Sequence, residues 1–279
     1  MKMPNIAVLP ALVTLGNAIC GFAAIVTLAR MPQVGPGAEG LPEVFAAFTT
    51  AGLLILLAMV FDALDGRVAR FARATSDFGG QLDSLSDAVS FGVAPALLGY
   101  RLFGTMVHDP LPERLAMVLA AVYFACTLLR LARFNVENVQ DEEAHLSFRG
   151  LPSPAAAGAV ASAAILIADL RPEPVFARLA GALAWSVPVM LLVLAILMVS
   201  SLRYSHVLNQ LIRGRRPLSY ILQIVICIAL VWFLREKALA LLFIGYVLSG
   251  PAVMVYRKLV PARRASPAAP EPEDDSSRT

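Results

Sequence analysis

Three observations predict an all-α fold, a polytopic transmembrane helical bundle of about eight spans. The 279 residues are 58% hydrophobic and 15% charged, far from the balance of a soluble domain. Apolar runs that approach the ~20 residues needed to cross a bilayer recur along the chain. Lys and Arg fall in short clusters between those runs. A net charge of +3 is too small to draw nucleic acid, so no such partner is expected. Cys20, Cys126 and Cys227 sit far apart inside apolar runs, and His108, His145 and His206 are scattered, which argues against a disulfide framework or a zinc site.

The first span is expected from Ile6 to Ala29, with Asn17 and Gly21 serving helix packing. It runs too long for a signal peptide and lacks a clear processing site, so it is expected to stay as a span. A Pro/Gly-rich loop, MPQVGPGAEGLP, follows. The second span starts near Val44 and carries Asp62 about 27 Å along at 1.5 Å per residue. The third helix holds Asp83 and Asp87 in its first turns and continues through SFGVAPALLGYRLF, with Pro95 as a kink. The fourth covers Leu115 to Phe134 and ends in RLARFN. A polar loop, VENVQDEEAHLSFRG, then offers Asp141, Glu142 and Glu143 as a solvated face, and LPSPAAAGAVASAAILIA opens a tightly packed fifth span. The sixth runs from Leu179 to Leu202, the seventh from Leu218 to Leu234 and the eighth from Ala238 to Tyr256. Residues 1–260 thus form one integral membrane domain, and the polar, Pro-rich residues 261–279 a disordered cytoplasmic tail.

Placing the basic residues on alternating sides of this map gives sixteen on one side and seven on the other. Cytoplasmic loops are the richer in positive charge. Both termini and the turn between spans two and three are therefore expected at the cytoplasmic face.

That turn, DALDGRVARFARATSDFGGQLDSLSD, concentrates the chemistry. Asp62 and Asp65 are three apart and Asp83 and Asp87 four apart, so each pair shares a helix face. Any one of them alone reads as a helix cap. Four converging carboxylates need cations, and oxygen ligands suit a hard ion, Mg²⁺ or Mn²⁺. Gly66 and Gly79 permit close backbone approach, and small Ala69 leaves space beside them. Arg70 can bind phosphate oxygens bidentately, while Arg67 and Arg73 attract anions at the membrane surface. Carboxylates, cations, glycines and arginine together suit a diphosphate substrate.

Asp62, Asp65, Gly66, Ala69, Arg70, Gly79, Asp83 and Asp87 match in type and spacing the signature D-x2-D-G-x2-A-R-x8-G-x3-D-x3-D. The chain therefore resembles the CDP-alcohol phosphatidyltransferase family. PNIAVLPALVTLGNAICGFAAI, LDSLSDAVSFGVAPA, RLARFN and FRGLPSPAAA are similar to its phosphatidylserine synthase branch, over roughly the first 160 residues. Beyond them the likeness weakens, and SSLRYSH is only suggestive.

The resemblance implies that Asp62, Asp65 and Asp83 ligate a pair of divalent ions, with Asp87 completing the second site or acting as base. It implies CDP-diacylglycerol as donor, bound along Asp65, Gly66, Ala69, Arg70 and Gly79 with its acyl chains among the membrane lipids. L-serine is the implied acceptor, and attack by its hydroxyl releases CMP and leaves phosphatidylserine. Arg130, Arg133 and Arg149 are candidates for the serine carboxylate or a phosphate, with Tyr204, Arg203 and Asn135 as weaker ones; ordinary positive-inside topology also accounts for the arginines. The resemblance further implies a homodimer. Glycerol 3-phosphate, an inositol phosphate or choline are alternative acceptors for the same chemistry. A divalent-cation transporter is a remote alternative, because its polar groups would line a route across the bilayer rather than gather at one end.

Overall fold

The computed structural model describes residues 8–32, 41–71, 77–107, 110–140, 148–172, 174–204 and 236–259. The expected seventh span and the tail at 261–279 lie outside these residues. In order, the described elements are α1 (Val8–Ala29), α2 (Leu41–Phe71), α3 (Asp77–Asp87), a π-helical turn (Ala88–Val93), α4 (Ala94–Met106), α5 (Pro110–Gln140), β1 (Phe148–Arg149), α6 (Ser153–Leu170), α7 (Ala177–Val199), β2 (Arg203–Tyr204) and α8 (Glu236–Leu259). The all-helical reading thus holds apart from one minimal strand pair. β1 and β2 run antiparallel, with Phe148 opposite Tyr204 and Arg149 opposite Arg203.

Five described helices, α1, α2, α5, α6 and α7, are long and apolar enough to cross a membrane, and α8 has a shorter apolar stretch at Lys237–Ala252. The chain is a polytopic membrane protein. The expected third span is a composite of the 11-residue α3, the π-helical turn and the 13-residue α4.

The π-helical turn has a local cause. Pro95 has no backbone N–H to give to the carbonyl four residues earlier, that of Phe91. The Tyr123 hydroxyl, fully buried on α5, donates to that carbonyl at 3.1 Å. One residue earlier, the Ala94 N–H reaches back five residues to Val89. The backbone group freed by proline is satisfied from a neighbouring helix, as apolar surroundings require.

α6 is the most deeply packed of the five. Its small residues, including Ala156, Ala157, Gly158 and Ala161, let neighbouring backbones approach closely. Gly52 of α2 faces Ile165 across this interface, where a side chain on the glycine would come within 2.8 Å of it. Gly158 takes the ring of Phe243 from α8 in the same way. Around α6 gather α2, α4, α7 and α8, while α1 lies against α2 and α3. α1 thus bridges α2 and α3, the two helices that carry the carboxylates.

Candidate active site

α2 continues beyond its apolar length into DALDGRVARF, and α3 opens the chain's return. The first helix contributes Asp62 and Asp65, the second Asp83 and Asp87. One carboxylate oxygen each from Asp62, Asp83 and Asp87 lies within 4.8 Å of the others. Asp65 stands outside that trio but close enough for its charge to act on Asp62 and Asp83. It is only 6% exposed. The Thr14 hydroxyl and the Gly66 N–H lie at its carboxylate.

Three like charges this close are unfavourable in a partly dry setting unless a counter-charge joins them. Asp83, in the polar first turns of α3 and ahead of its apolar continuation, shows the effect: burial, with Asp65 adding a like charge, pushes its carboxyl up to about 6. Asp65 Oδ2 and Asp83 Oδ1 are buried without a hydrogen-bond partner. Orphaned carboxylate oxygens on a converging set of acids fit a hard divalent cation. A side chain at Gly66 or Gly80 would meet no atom within 4 Å. Gly66, next to Asp65, and Gly80 therefore border open space.

Arg130, on α5, brings a cation to this cluster. Its guanidinium lies where its charge acts on Asp62, Asp87, Tyr123 and Tyr246. Its Nη1 donates to Ser153 Oγ at 2.6 Å, tying α5 to the first residue of α6. Ser153 follows the loop GLP, whose Gly150 N–H donates to Leu202 O at 2.8 Å and whose Leu151 N–H donates to Leu197 O at 3.0 Å. Gly150 has φ +89°, and its α-carbon faces the Met198 carbonyl so closely that only glycine fits. The segments FRGLPSP and SSLRY, far apart in sequence, are thereby joined beside Arg130. Their strand pair brings the backbones of Arg149, Arg203 and Tyr204 together.

Each expected site residue can now be placed. Asp62, Asp83 and Asp87 converge, with Asp65 beside them. Gly66 is exposed and Gly79 half-buried. Ala69 and Arg70 lie on the last turns of α2, and Arg149 and Tyr204 on the strand pair; their side chains lie outside the described residues. Arg133 is half-buried one turn beyond Arg130. Asn135 exchanges hydrogen bonds with Ser84, its amide nitrogen donating at 2.9 Å and its oxygen accepting at 3.2 Å, and so fixes α3 against α5.

The reading of Asn17 as a packing residue is incomplete. It does pack α1 against the composite helix, but its Nδ2 also donates to Asp87 Oδ1 at 3.1 Å. A primary amide in an apolar run was the available signal, since polar groups at membrane depth are expensive. Ser153 gave no such signal, because a serine at a helix start is commonplace.

Comparison with known proteins agrees with this geometry. The family model described as CDP-alcohol phosphatidyltransferase matches residues 7–199. A Methanocaldococcus jannaschii protein named CDP-diacylglycerol–serine O-phosphatidyltransferase is 36% identical over 178 residues, 64% of this chain and 72% of that one. A protein of the same name from Helicobacter pylori is 35% identical over 172 residues, 60% of this chain and 67% of that one. One from Saccharomyces cerevisiae is 38% identical over 147 residues, 51% of this chain and 48% of that one. The matched region contains all four aspartates, Arg130 and β1 and runs to the end of α7, and the chain belongs to the CDP-alcohol phosphatidyltransferase family.

Proposed function

We propose that this enzyme transfers the phosphatidyl group of CDP-diacylglycerol to the hydroxyl of L-serine, giving phosphatidylserine and CMP. The observation that carries the reading is the convergence of the Asp62, Asp83 and Asp87 oxygens within 4.8 Å beside the open face of Gly66. The relatives named for this reaction supply the acceptor.

In this reading Asp62, Asp65, Asp83 and Asp87 hold two divalent ions, Mg²⁺ or Mn²⁺. Such ions, when bound, neutralise a diphosphate and polarise the attacked phosphorus. The chain's own residues do the rest. Gly66 and Gly79 let the cytidine diphosphate approach the backbone, with Ala69 leaving room and Arg70 binding phosphate oxygens. Asp87 accepts the proton of the serine hydroxyl as its oxygen bonds to phosphorus. The bond from phosphorus to the CMP oxygen breaks, and its electron pair leaves with CMP. Arg130 has the position for a serine carboxylate or a lipid-linked phosphate, since it faces the acids on one side and Ser153 on the other. Arg133, Arg149 and Tyr204 extend that basic and polar wall.

The same reading puts the cluster and both termini on the cytoplasmic side, supported by the sixteen-to-seven division of Lys and Arg. It assigns catalysis to residues 1–260 and takes the active form as a homodimer, supported by family resemblance alone. Crosslinking in native membranes checks the dimer.

The reaction is tested by incubating purified protein with CDP-diacylglycerol, Mg²⁺ or Mn²⁺ and a panel of alcohols, reading CMP and the lipid formed. Phosphatidylserine from serine is expected. Selective product from glycerol 3-phosphate overturns the acceptor, and absence of CMP with every alcohol overturns the transfer.

A further inference from the structure

We infer that Asn17 is a positioning residue for Asp87, fixing the plane of its carboxylate through a hydrogen bond delivered from α1. The inference rests on the proposed role of Asp87.

Asn17 lies in the middle of the first span and is 0% exposed. A buried amide there is costly unless its polar atoms are paired. The Nδ2 group is paired with Asp87 Oδ1 at 3.1 Å, across 70 residues of sequence. A carboxylate only accepts, which sets the amide with its nitrogen toward Asp87. The other amide atom, Oδ1, is buried without a partner. An amide retained for packing would be expected to satisfy both ends; this one gives its donor to an acid of the site and leaves its acceptor unused.

The backbone around it is built to hold that contact. Ser90 Oγ donates to the Asn17 carbonyl at 2.9 Å. Gly21, one turn along α1, abuts Ser90 so closely that any side chain would collide with it. Ser90 belongs to the π-helical turn that begins immediately after Asp87. The wide turn caused by Pro95 and the missing side chain at Gly21 therefore seat α1 on the residues that carry Asp87. With one oxygen held by Asn17, the Asp87 carboxylate cannot rotate freely, and its direction toward Asp62 and Asp83 is set before any ligand binds.

The test uses full-length protein in detergent, with Mn²⁺ as the metal probe. For Asn17→Ala, kcat is expected to fall by about 10–100-fold, as for loss of an outer partner of a metal-site ligand. KM for CDP-diacylglycerol is expected to stay within about threefold, since the donor contacts are elsewhere. Asn17→Leu, which keeps the volume without the donor, gives the same split and serves if Asn17→Ala does not fold. Ser90→Ala loosens the seat of α1 but leaves the amide in place, and lowers kcat by less than Asn17→Ala does.

Mn²⁺ dissociation constants, read by electron paramagnetic resonance, then couple the two residues without using turnover. Asp87→Ala weakens Mn²⁺ binding, and adding Asn17→Ala to it produces no further loss. Additive losses, or a Ser90→Ala effect equal to that of Asn17→Ala, overturn the positioning role. Unchanged Mn²⁺ binding in Asp87→Ala instead overturns the metal site itself, which separates the two failures.

Discussion

The composite third helix carries a polar cluster near each end, and the two have opposite logic. At its start, Asp83 and Asp87 meet Asp62 and Asp65, four groups of one sign with buried oxygens left unpaired. Near the far end of α4, Tyr100 donates to Glu113 Oε1 at 3.1 Å, and Arg101 Nη2 donates to the Met31 carbonyl at 3.0 Å. The second cluster joins donors to acceptors between α4, α5 and Met31 just beyond α1, with Arg101 Nε left unpartnered. The first accumulates charge of one sign, with Arg130 acting on Asp62 and Asp87 from α5. Ionisable groups in a membrane protein are thus not equivalent: those that find hydrogen-bond partners hold helices, and those of one sign gathered together suit a ligand of the opposite charge.

The most severe way to break this contrast is to make the same change at both ends. Asp87→Asn removes a charge and a proton acceptor while keeping shape, and turnover is expected to fall by about 10³-fold or more, the range of a lost general base. Folding, followed by size-exclusion profile and melting in detergent, is expected to persist, because removing one of several like charges relieves repulsion. Glu113→Gln is expected to leave kcat within about twofold. Comparable losses of activity at the two ends would mean that partnered and unpartnered clusters do not divide into structure and chemistry.

That contrast was only half legible in the sequence. The four aspartates at spacings of three and four announce a shared face, and the eight-position signature fixes their family, so the reactive end could be located before any coordinates. The partnered end could not. Tyr100, Arg101 and Glu113 look like ordinary span-boundary residues, and their pairing depends on how α5 returns against α4. The π-helical turn was anticipated only as a kink at Pro95, since the sequence does not say which neighbour will take the freed Phe91 carbonyl. The crossing of FRGLPSP with SSLRY rests on the β1–β2 pairing, the Gly150-to-Leu202 backbone hydrogen bond and one left-handed glycine, a contact with no periodic signal. Asn17 was visible as a polar interruption, but its partner is 70 residues away.

A smaller effect sharpens the role of Arg130 at the reactive end. Arg130→Lys keeps the charge near Asp62 and Asp87 but loses the planar fork that reaches Ser153. The Michaelis constant for serine is expected to rise about tenfold, corresponding to one weakened charge-assisted hydrogen bond. That for CDP-diacylglycerol is expected to stay within about twofold if Arg130 serves the serine carboxylate. An equal rise in both would assign Arg130 to the phosphate instead. Ser153→Ala, which leaves the guanidinium in place but unanchored, is expected to give a weaker version of the same pattern.

The smallest expected effect is in stability, and it has opposite signs at the two ends. Tyr100→Phe removes the hydroxyl that reaches Glu113 and is expected to cost about 1 kcal/mol, the worth of one ordinary hydrogen bond, with activity intact. At the other end, metal-free protein carries repulsion that protons can relieve. Burial, with the Asp65 charge added, pushes the Asp83 carboxyl up to about 6 in the folded chain, above the ordinary value of about 3.9 for an unfolded aspartate. The folded state therefore binds more protons than the unfolded state between those values, and stability falls as pH rises through that window. Metal-free protein is expected to melt a few degrees lower at pH 7.5 than at pH 5, with Asp83→Asn flattening the dependence. Saturating Mn²⁺ should reverse it, because the cation then replaces the proton and binds best to ionised carboxylates. A melting temperature that ignores both pH and Mn²⁺ would mean that the carboxylates near Asp83 are neither crowded nor metal-binding, and the contrast between the two ends would collapse.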